Sequence, residues 1–289
     1  MTEKKRLADE FERARVHLRA VAFRLLGSVD DADDAVQEAW LRASGADLAA
    51  VANLPGWLTT VVSRICLDSL KARRRQRSAW RPRDEPDAAP SPTLEEQHLF
   101  AESVGLAMLV VLERLGPLER VAFVLHDLLS VPFDEIAVVV DRSAVATKKL
   151  ASRARRRVYG VEPPSERFAA HREVVEAFLA AARAGDVDAL VAVLAPDVVR
   201  RVDHAARDEG VAVELSGAES VAEETARNAA RAAFARPALV DGAVGAVVAP
   251  LGRLRFVLKL SVRGGRVASL EVLGDRETLR GVELVVLRA

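Results

Sequence analysis

The feature that most limits this chain is a proline-rich break. Residues 79–98, AWRPRDEPDAAPSPTLEEQH, hold four prolines among scattered acids. Proline fixes φ and lacks the backbone N–H, so no packed helix or interior strand survives that density. One core must form before this stretch and another after it. A shorter break, residues 161–166 with Pro163-Pro164, divides the remainder. The sequence therefore predicts three bodies, 1–78, 99–160 and 167–289, with linkers at 79–98 and 161–166.

The first two bodies read as helical. Phe11, Ala14, Leu18, Val21, Ala22 and Leu25 recur at helical spacing, Gly27 ends that helix, and Ser28 or Asp30 can cap the next. Asp31–Arg42 reads as a second helix with Ala35, Val36, Ala39 and Trp40 inward. Residues 44–55 read as a loop closed by Pro55, and Gly56–Arg75 as a long helix with Trp57, Val61, Ile65, Leu67 and Leu70 inward. Beyond the break, Leu99–Leu115 and Leu118–Leu128 read as helices separated by Gly116-Pro117. Then follow a short helix FDEIAVVV, a turn Asp141-Arg142-Ser143, and a helix Ala144–Tyr159 with Ser143 as N-cap. Aromatic residues are only 4% of the chain, so Ala, Val and Leu must fill these cores.

The third body changes period. His171–Ala182 is an amphipathic helix, and Gly185-Asp186 breaks it and caps Val187–Leu194. Residues 254–262, LRFVLKLSV, alternate as a strand does; RGGR at 263–266 is a hairpin turn, and VASLEVL returns. The expected fold is multidomain: two all-α domains and a C-terminal α+β domain.

Net charge is zero, but its distribution is uneven. Seven basic residues and no acid lie between Lys71 and Arg83, and six basic residues in ten between Lys148 and Arg157. One such run is ordinarily a solvated face. Two runs, each closing a helical pattern, point to a polyanion. Two helices joined by a tight turn, the second basic, form the helix-turn-helix pattern. Ile136, Ala137, Val140, Val145 and Leu150 can form its small core. Ser143, Ala144 and Thr147 then stand at the helix end that enters a major groove, and Lys148, Lys149 and Arg153 can reach base edges or phosphates. The lone cysteine, Cys66, reads as a small buried apolar residue. The charged N-terminus does not look like a signal peptide, and no stretch suits a membrane span, so a cytoplasmic protein is expected.

Three segments carry a resemblance. DADDAVQEAWLRA (31–43) resembles the polymerase-binding helix of sigma region two, and residues 55–77 resemble the promoter-melting helix that follows it. Residues 112–158 resemble sigma region four. The C-terminal segment HREVVEAFLAAARAGDVDALVAVLAPDVV resembles the helical opening of the SnoaL-like (NTF2-type cone) domain. In this order the motifs resemble extracytoplasmic-function (ECF) sigma factors of the SigJ-like subfamily.

The resemblance implies roles and partners. Asp34, Gln37 and Glu38 would face the β′ coiled coil of core RNA polymerase, and region four would meet the β flap. Loop 44–54 would hold a base flipped from the minus-ten element, read by Asn53. Arg64, Lys71, Arg73 and Arg74 would follow the phosphates of the opening strand. Ser143, Thr147, Lys148, Lys149 and Arg153 would serve the minus-thirty-five element. No cofactor and no metal are implied. A small ligand of unknown identity in the C-terminal domain is left open, as is the action of that domain on the others in cis.

The linker keeps only fragments, Trp80-Arg81-Pro82 and Glu85-Pro86, of the subfamily's Trp-Leu-Pro-Glu-Pro signature, and two segments of the C-terminal domain depart from the subfamily. Asp203-His204-Ala205-Ala206-Arg207 replaces an expected glycine-rich turn, and residues 274–279 replace an Asn-Pro-Asp-Lys-Leu segment. Alanine does not adopt positive φ cheaply, so the first loop must be built differently. His171, Asp197, Asp203 and His204 are acid–base candidates by residue type alone, and the only tyrosine, Tyr159, lies outside the domain. No catalytic role is expected. Two rival readings remain: a ligand-sensing helix-turn-helix regulator that needs no polymerase, and an NTF2-type enzyme fused to a DNA-targeting segment. Residues 31–77 argue against the first, because a plain regulator has no use for a polymerase-binding helix and a melting loop.

Overall fold

A computed structural model describes residues 3–48, 51–79, 106–160, 166–207 and 212–287. Both expected linkers fall outside these residues, except that Ala79 and Glu166 belong to helices. So does the start of the expected helix 99–115. Two compact bodies are present: residues up to 79 together with 112–156, and residues 106–111 together with those from 157 onward.

In the first body, helix α1 spans Glu3–Leu26, α2 Val29–Ser44 and α3 Leu54–Ala79. Gly27 takes φ +75, which lets the chain leave α1, and its N–H donates to Phe23 O at 2.8 Å. Ser28 is the N-cap of α2; its Oγ accepts from Asp31 N at 3.3 Å. Small residues Ala32, Ala35, Val36, Ala39 and Ala43 are buried on α2, so the helices approach closely. Trp40 is only half-buried and meets Phe11 edge-on, ring centroids 5.0 Å apart. Cys66 is fully buried, and burial pushes its thiol up to about 12.

Helix α3 corrects the sequence reading. It starts at Leu54, so Pro55 lies inside its first turn, where a missing N–H costs nothing. Its buried stripe is Leu54, Leu58, Val62, Ile65 and Cys66, with Leu67; Trp57, Val61 and Leu70 are half-exposed. This stripe packs on α1 and α2.

Helix α4 spans Leu106–Glu113 and α5 Pro117–Phe123. The expected helix 118–128 is not one α-helix: Val124–Leu128 widen into a π turn. Val131 N donates to Leu125 O there, Ser130 takes φ 56, and Pro132 follows. Helix α6 spans Phe133–Val140 and α7 Ala144–Tyr159. Asp141 ends α6 in the left-handed region, φ 52 and ψ 58, which Asp tolerates better than most residues. Ser143 caps α7, its Oγ accepting from Ala146 N at 3.2 Å.

The core between α6 and α7 also differs. Ile136 and Val140 are buried as expected, but Val145 is 67% exposed. The inward stripe of α7 is Thr147, Ala151, Ala154 and Val158, at i, i+4, i+7 and i+11. Thr147 can be buried because its hydroxyl donates to Ser143 O at 3.0 Å.

The second body is α+β. Helices α8 (Glu166–Ala184) and α9 (Val187–Val193) open it, and Asp186 caps α9 through Ala189 N. Strands β1 (Leu194–Val202), β2 (Glu214–Ser216), β3 (Ala235–Val240), β4 (Ala243–Val248), β5 (Phe256–Arg263), β6 (Arg266–Leu273) and β7 (Leu284–Val286) form one sheet, ordered β2-β1-β6-β5-β4-β3-β7. The β1–β6 pair is parallel and the others antiparallel. Helices α10 (Ala218–Arg227), α11 (Ala229–Ala232) and α12 (Arg276–Gly281) complete it. Val175, Phe178 and Leu179 of α8 join Val198, Val221, Val244, Leu260 and Leu270 in one apolar cluster. Residues 106–111 pack in this second body: a Cβ on Gly252 would lie 2.7 Å from the Leu109 Cβ.

The two C-terminal-domain segments that depart from the subfamily are joined to each other, and the linker departure at 80–86 lies outside the described residues. Asp203 Oδ1 accepts from Ala206 N at 2.7 Å, while Oδ2 accepts from Gly274 N and Asp275 N at 2.7 and 2.8 Å. Ala205 and Ala206 avoid positive φ, so a side-chain clamp takes the place of a glycine turn.

The hairpin at 263–266 forms as expected, with Gly264 at φ +60 and Gly265 at φ +74 and open space beside both. Gly265→Ala will therefore cost about 1–2 kcal/mol through backbone strain alone. Gly281→Ala, in equally open space without positive φ, will change stability by less than about 0.5 kcal/mol. Hydrogen exchange of the β5–β6 amides reads both changes.

Candidate nucleic-acid and polymerase interfaces

Helix α2 builds an acidic face because its small residues turn inward. Asp34, Gln37 and Glu38 are exposed, and Glu38 is bridged to Arg42 one turn on. Neighbouring Asp33 is not free; Arg19 holds it through Nε and Nη2 at 2.6 and 2.9 Å. Leu41 completes the stripe at i+7 from Asp34 and is 64% exposed. The sequence reading overlooked it, although the spacing 34, 37, 38, 41 marks one helix face. An exposed leucine beside carboxylates suits a partner with basic groups around an apolar spot.

The expected base-reading loop ends at Asn53, which is exposed and caps α3. Its Oδ1 accepts from Gly56 N at 3.1 Å, and its carbonyl accepts from Trp57 N at 3.0 Å. The acceptor side of the amide is thus used locally. Residues 49–50 of the loop lie outside the described residues.

The four basic residues expected to follow the phosphates of the opening strand do not share one side of α3. Arg64 and Lys71, seven residues apart, lie on the same side and are both exposed, and Arg75 extends that side four residues further. The Lys71 ammonium is 4.0 Å from Asp68. Arg73 points the other way and pairs with Asp31 of α2. Arg74 is exposed, and a Cβ on Gly116 would approach its Nη1 to 3.2 Å. Arg64 Nη2 donates to Val138 O at 2.9 Å, so this side of α3 lies against α6.

On α7, Lys148, Lys149 and Arg153 are exposed opposite the buried stripe, with Ser143 exposed at its start. Thr147 is fully buried, so its side chain does not reach a groove from this position. Val145 stands outward instead, an apolar group at the leading end. Arg155 is tied to Asp127, which braces α7 against the π turn, while Arg156 and Arg157 are exposed at its far end.

The acid–base candidates of the C-terminal domain do not converge. Asp197 pairs with Arg263, whose guanidinium holds its carboxyl below the usual range. Asp203 is taken up by backbone N–H groups, and His204 is exposed in the adjoining loop. Among the described residues no cluster of His, Cys, Asp or Glu could hold a metal ion, and no helix is long and apolar enough to cross a membrane.

Residues 11–76 match the family model for sigma-70 region 2, and residues 106–158 that for sigma-70 region 4. The chain is 36% identical over 278 residues to a probable ECF RNA polymerase sigma factor, SigI, of Mycobacterium tuberculosis, covering 92% of each. It is 45% identical over 197 residues to the ECF RNA polymerase sigma factor SigJ of the same organism; that match takes in 66% of this chain and spans 62% of SigJ. The crystal structure of M. tuberculosis SigJ covers 95% of this chain and 98% of its own, at 36% identity and a TM-score of 0.46. The chain belongs to the extracytoplasmic-function RNA polymerase sigma factors.

Proposed function

We propose that the protein binds core RNA polymerase through the α2 face, recognises minus-ten and minus-thirty-five elements, and helps open the promoter in the cytoplasm. The observation that carries this reading is the exposed Asp34–Gln37–Glu38–Leu41 stripe of α2, in a chain whose α3 also has a basic side. A regulator that works without polymerase needs neither. In this reading α2 meets the β′ coiled coil and region four meets the β flap. Asn53 offers its amide NH2 to an extruded base, and Arg64, Lys71, Arg74 and Arg75 follow the displaced strand. Arg73 serves the α2–α3 packing instead, and Thr147 positions the start of α7 rather than touching DNA. The reading assigns the chain no catalysis.

Arg64 engages the Val138 carbonyl, so its use on DNA requires α3 and α6 to part. The C-terminal domain is proposed to bias such changes in cis and to hold a small ligand. Its support is that residues 106–111, the opening of the region-four match, pack in the same body as the α+β domain. A contact shifts activity only when it favours one arrangement over another. A chain ending at Tyr159 will therefore differ from the full chain in transcription and in polymerase affinity. Equal behaviour in both assays makes the domain a passive appendage.

The division of labour along α7 is tested in the assembled holoenzyme. Alanine at Lys148, Lys149 or Arg153 will cost about 1–3 kcal/mol at a base-reading position and relax preference at that base pair. Alanine at Arg156 or Arg157 will weaken binding evenly across promoters and lower the salt slope by about 1. Promoter-binding titrations at several salt concentrations separate the two patterns, and identical effects of all five changes on every sequence contradict it.

A further inference from the structure

Helix α7 carries two opposed stripes along its length. Thr147, Ala151, Ala154 and Val158 are buried. On the other side Val145, Lys149, Ser152 and Arg156 are exposed at i, i+4, i+7 and i+11. Val145 heads that outer stripe and is 67% exposed, whereas Leu150 is half-buried and Val158 fully buried. Ser143 is the N-cap, so Val145 is the second residue of the helix. An acid in this turn would suit the helix dipole, yet the first turn of α7 has none. The valine side chain there neither caps the helix nor packs in its core. A single exposed valine on an arbitrary surface is ordinary. This one leads the face that opposes the core on a basic helix.

Its neighbours limit what can cover it. Lys148, Lys149, Arg153 and Arg156 are all exposed, so the covering surface is anionic around a small apolar spot. Ala144 and Ala146 flank Val145, and no bulky side chain holds this end of the helix away from that surface. The isopropyl group is short, and it makes contact only where the backbone comes close. The major groove of duplex DNA offers this combination: phosphates along both rims, and on its floor the C5 methyl of thymine. In helix-turn-helix pairs the first residues of the second helix are the ones that meet base edges. We infer that Val145 is a specificity-determining residue that packs on the C5 methyl of one thymine in the minus-thirty-five element. It reads the methyl and no hydrogen-bonding group, while the cations beside it serve phosphates or polar base edges. The inference rests on the reading of α7 as the promoter-reading helix and names what one of its residues reads.

Holoenzyme assembled from the full chain and core polymerase tests it. A duplex library randomised at the minus-thirty-five element yields the sequence that the holoenzyme selects. Each thymidine of that element is then replaced in turn by deoxyuridine, which removes the methyl and keeps every hydrogen-bonding group. At one position the replacement will weaken wild-type binding about fourfold, the worth of one buried methyl group. Val145→Ala holoenzyme will bind the thymidine and deoxyuridine duplexes equally. A selected element without thymine, wild-type binding indifferent to every replacement, or V145A that keeps the full preference each overturns the inference. Weakened core binding by V145A with the preference intact places the residue on polymerase and overturns it too. The wild-type comparison needs no variant to fold. A holoenzyme that selects no sequence refutes the promoter reading and this inference with it; selection without methyl dependence refutes the inference alone.

Discussion

Helix α3 carries two faces that must coexist. One buries Leu54, Leu58, Val62, Ile65 and Cys66 against α1 and α2, and the other presents Arg64, Lys71 and Arg75. The apolar face fixes where α2 lies, which in turn sets the acidic stripe from Asp34 to Leu41. Ion pairs reinforce this: Arg73 holds Asp31 and Arg19 holds Asp33, so two of the four α2 aspartates serve the fold. Asp34 stays exposed on the outer face. Burial supplies most of the stability here, because exposed ion pairs contribute at most about 1 kcal/mol each.

Much of this architecture was legible from period and punctuation. Ser28, Ser143 and Asp186 cap the helices they were expected to cap, and the two glycines of RGGR turn the hairpin. Misreadings arose where two helical registers competed. On α3 both Trp57–Val61–Ile65 and Leu58–Val62–Ile65 have helical spacing, and starting the helix at Leu54 favours the second. On α7 residue type favoured Val145 for the core. Ala151, Ala154 and Val158 set the register instead, and the hydroxyl of Thr147 was satisfied by Ser143 O, which made its burial tolerable. Charge pairing such as Arg73–Asp31 joins residues 42 positions apart and leaves no local signal.

The C-terminal domain shows how departures from a subfamily pattern can compensate. Losing a glycine turn at 204–206 removes backbone freedom, and Asp203 restores a defined loop by clamping residues 274 and 275. Neither segment could have been interpreted without the other. Arg200 carries the opposite lesson: Val198-Val199-Arg200-Arg201-Val202 puts an arginine inward in either strand register, and local pattern alone does not say which. Only the structure shows that Arg200 is the one that lies inside.

On the proposed reading, the α2 face couples this chain to polymerase. Run-off transcription with purified core polymerase on a template with a cognate promoter tests it most directly, comparing the wild-type chain with a variant carrying Asp34→Lys and Glu38→Lys. Circular dichroism checks that the variant keeps its fold. A single promoter-dependent transcript is expected with the wild-type chain, and the folded variant is expected to lose both that transcript and polymerase binding. A wild-type chain that binds promoter duplex tightly yet never directs core polymerase, or a variant that transcribes as well as wild type, would contradict it.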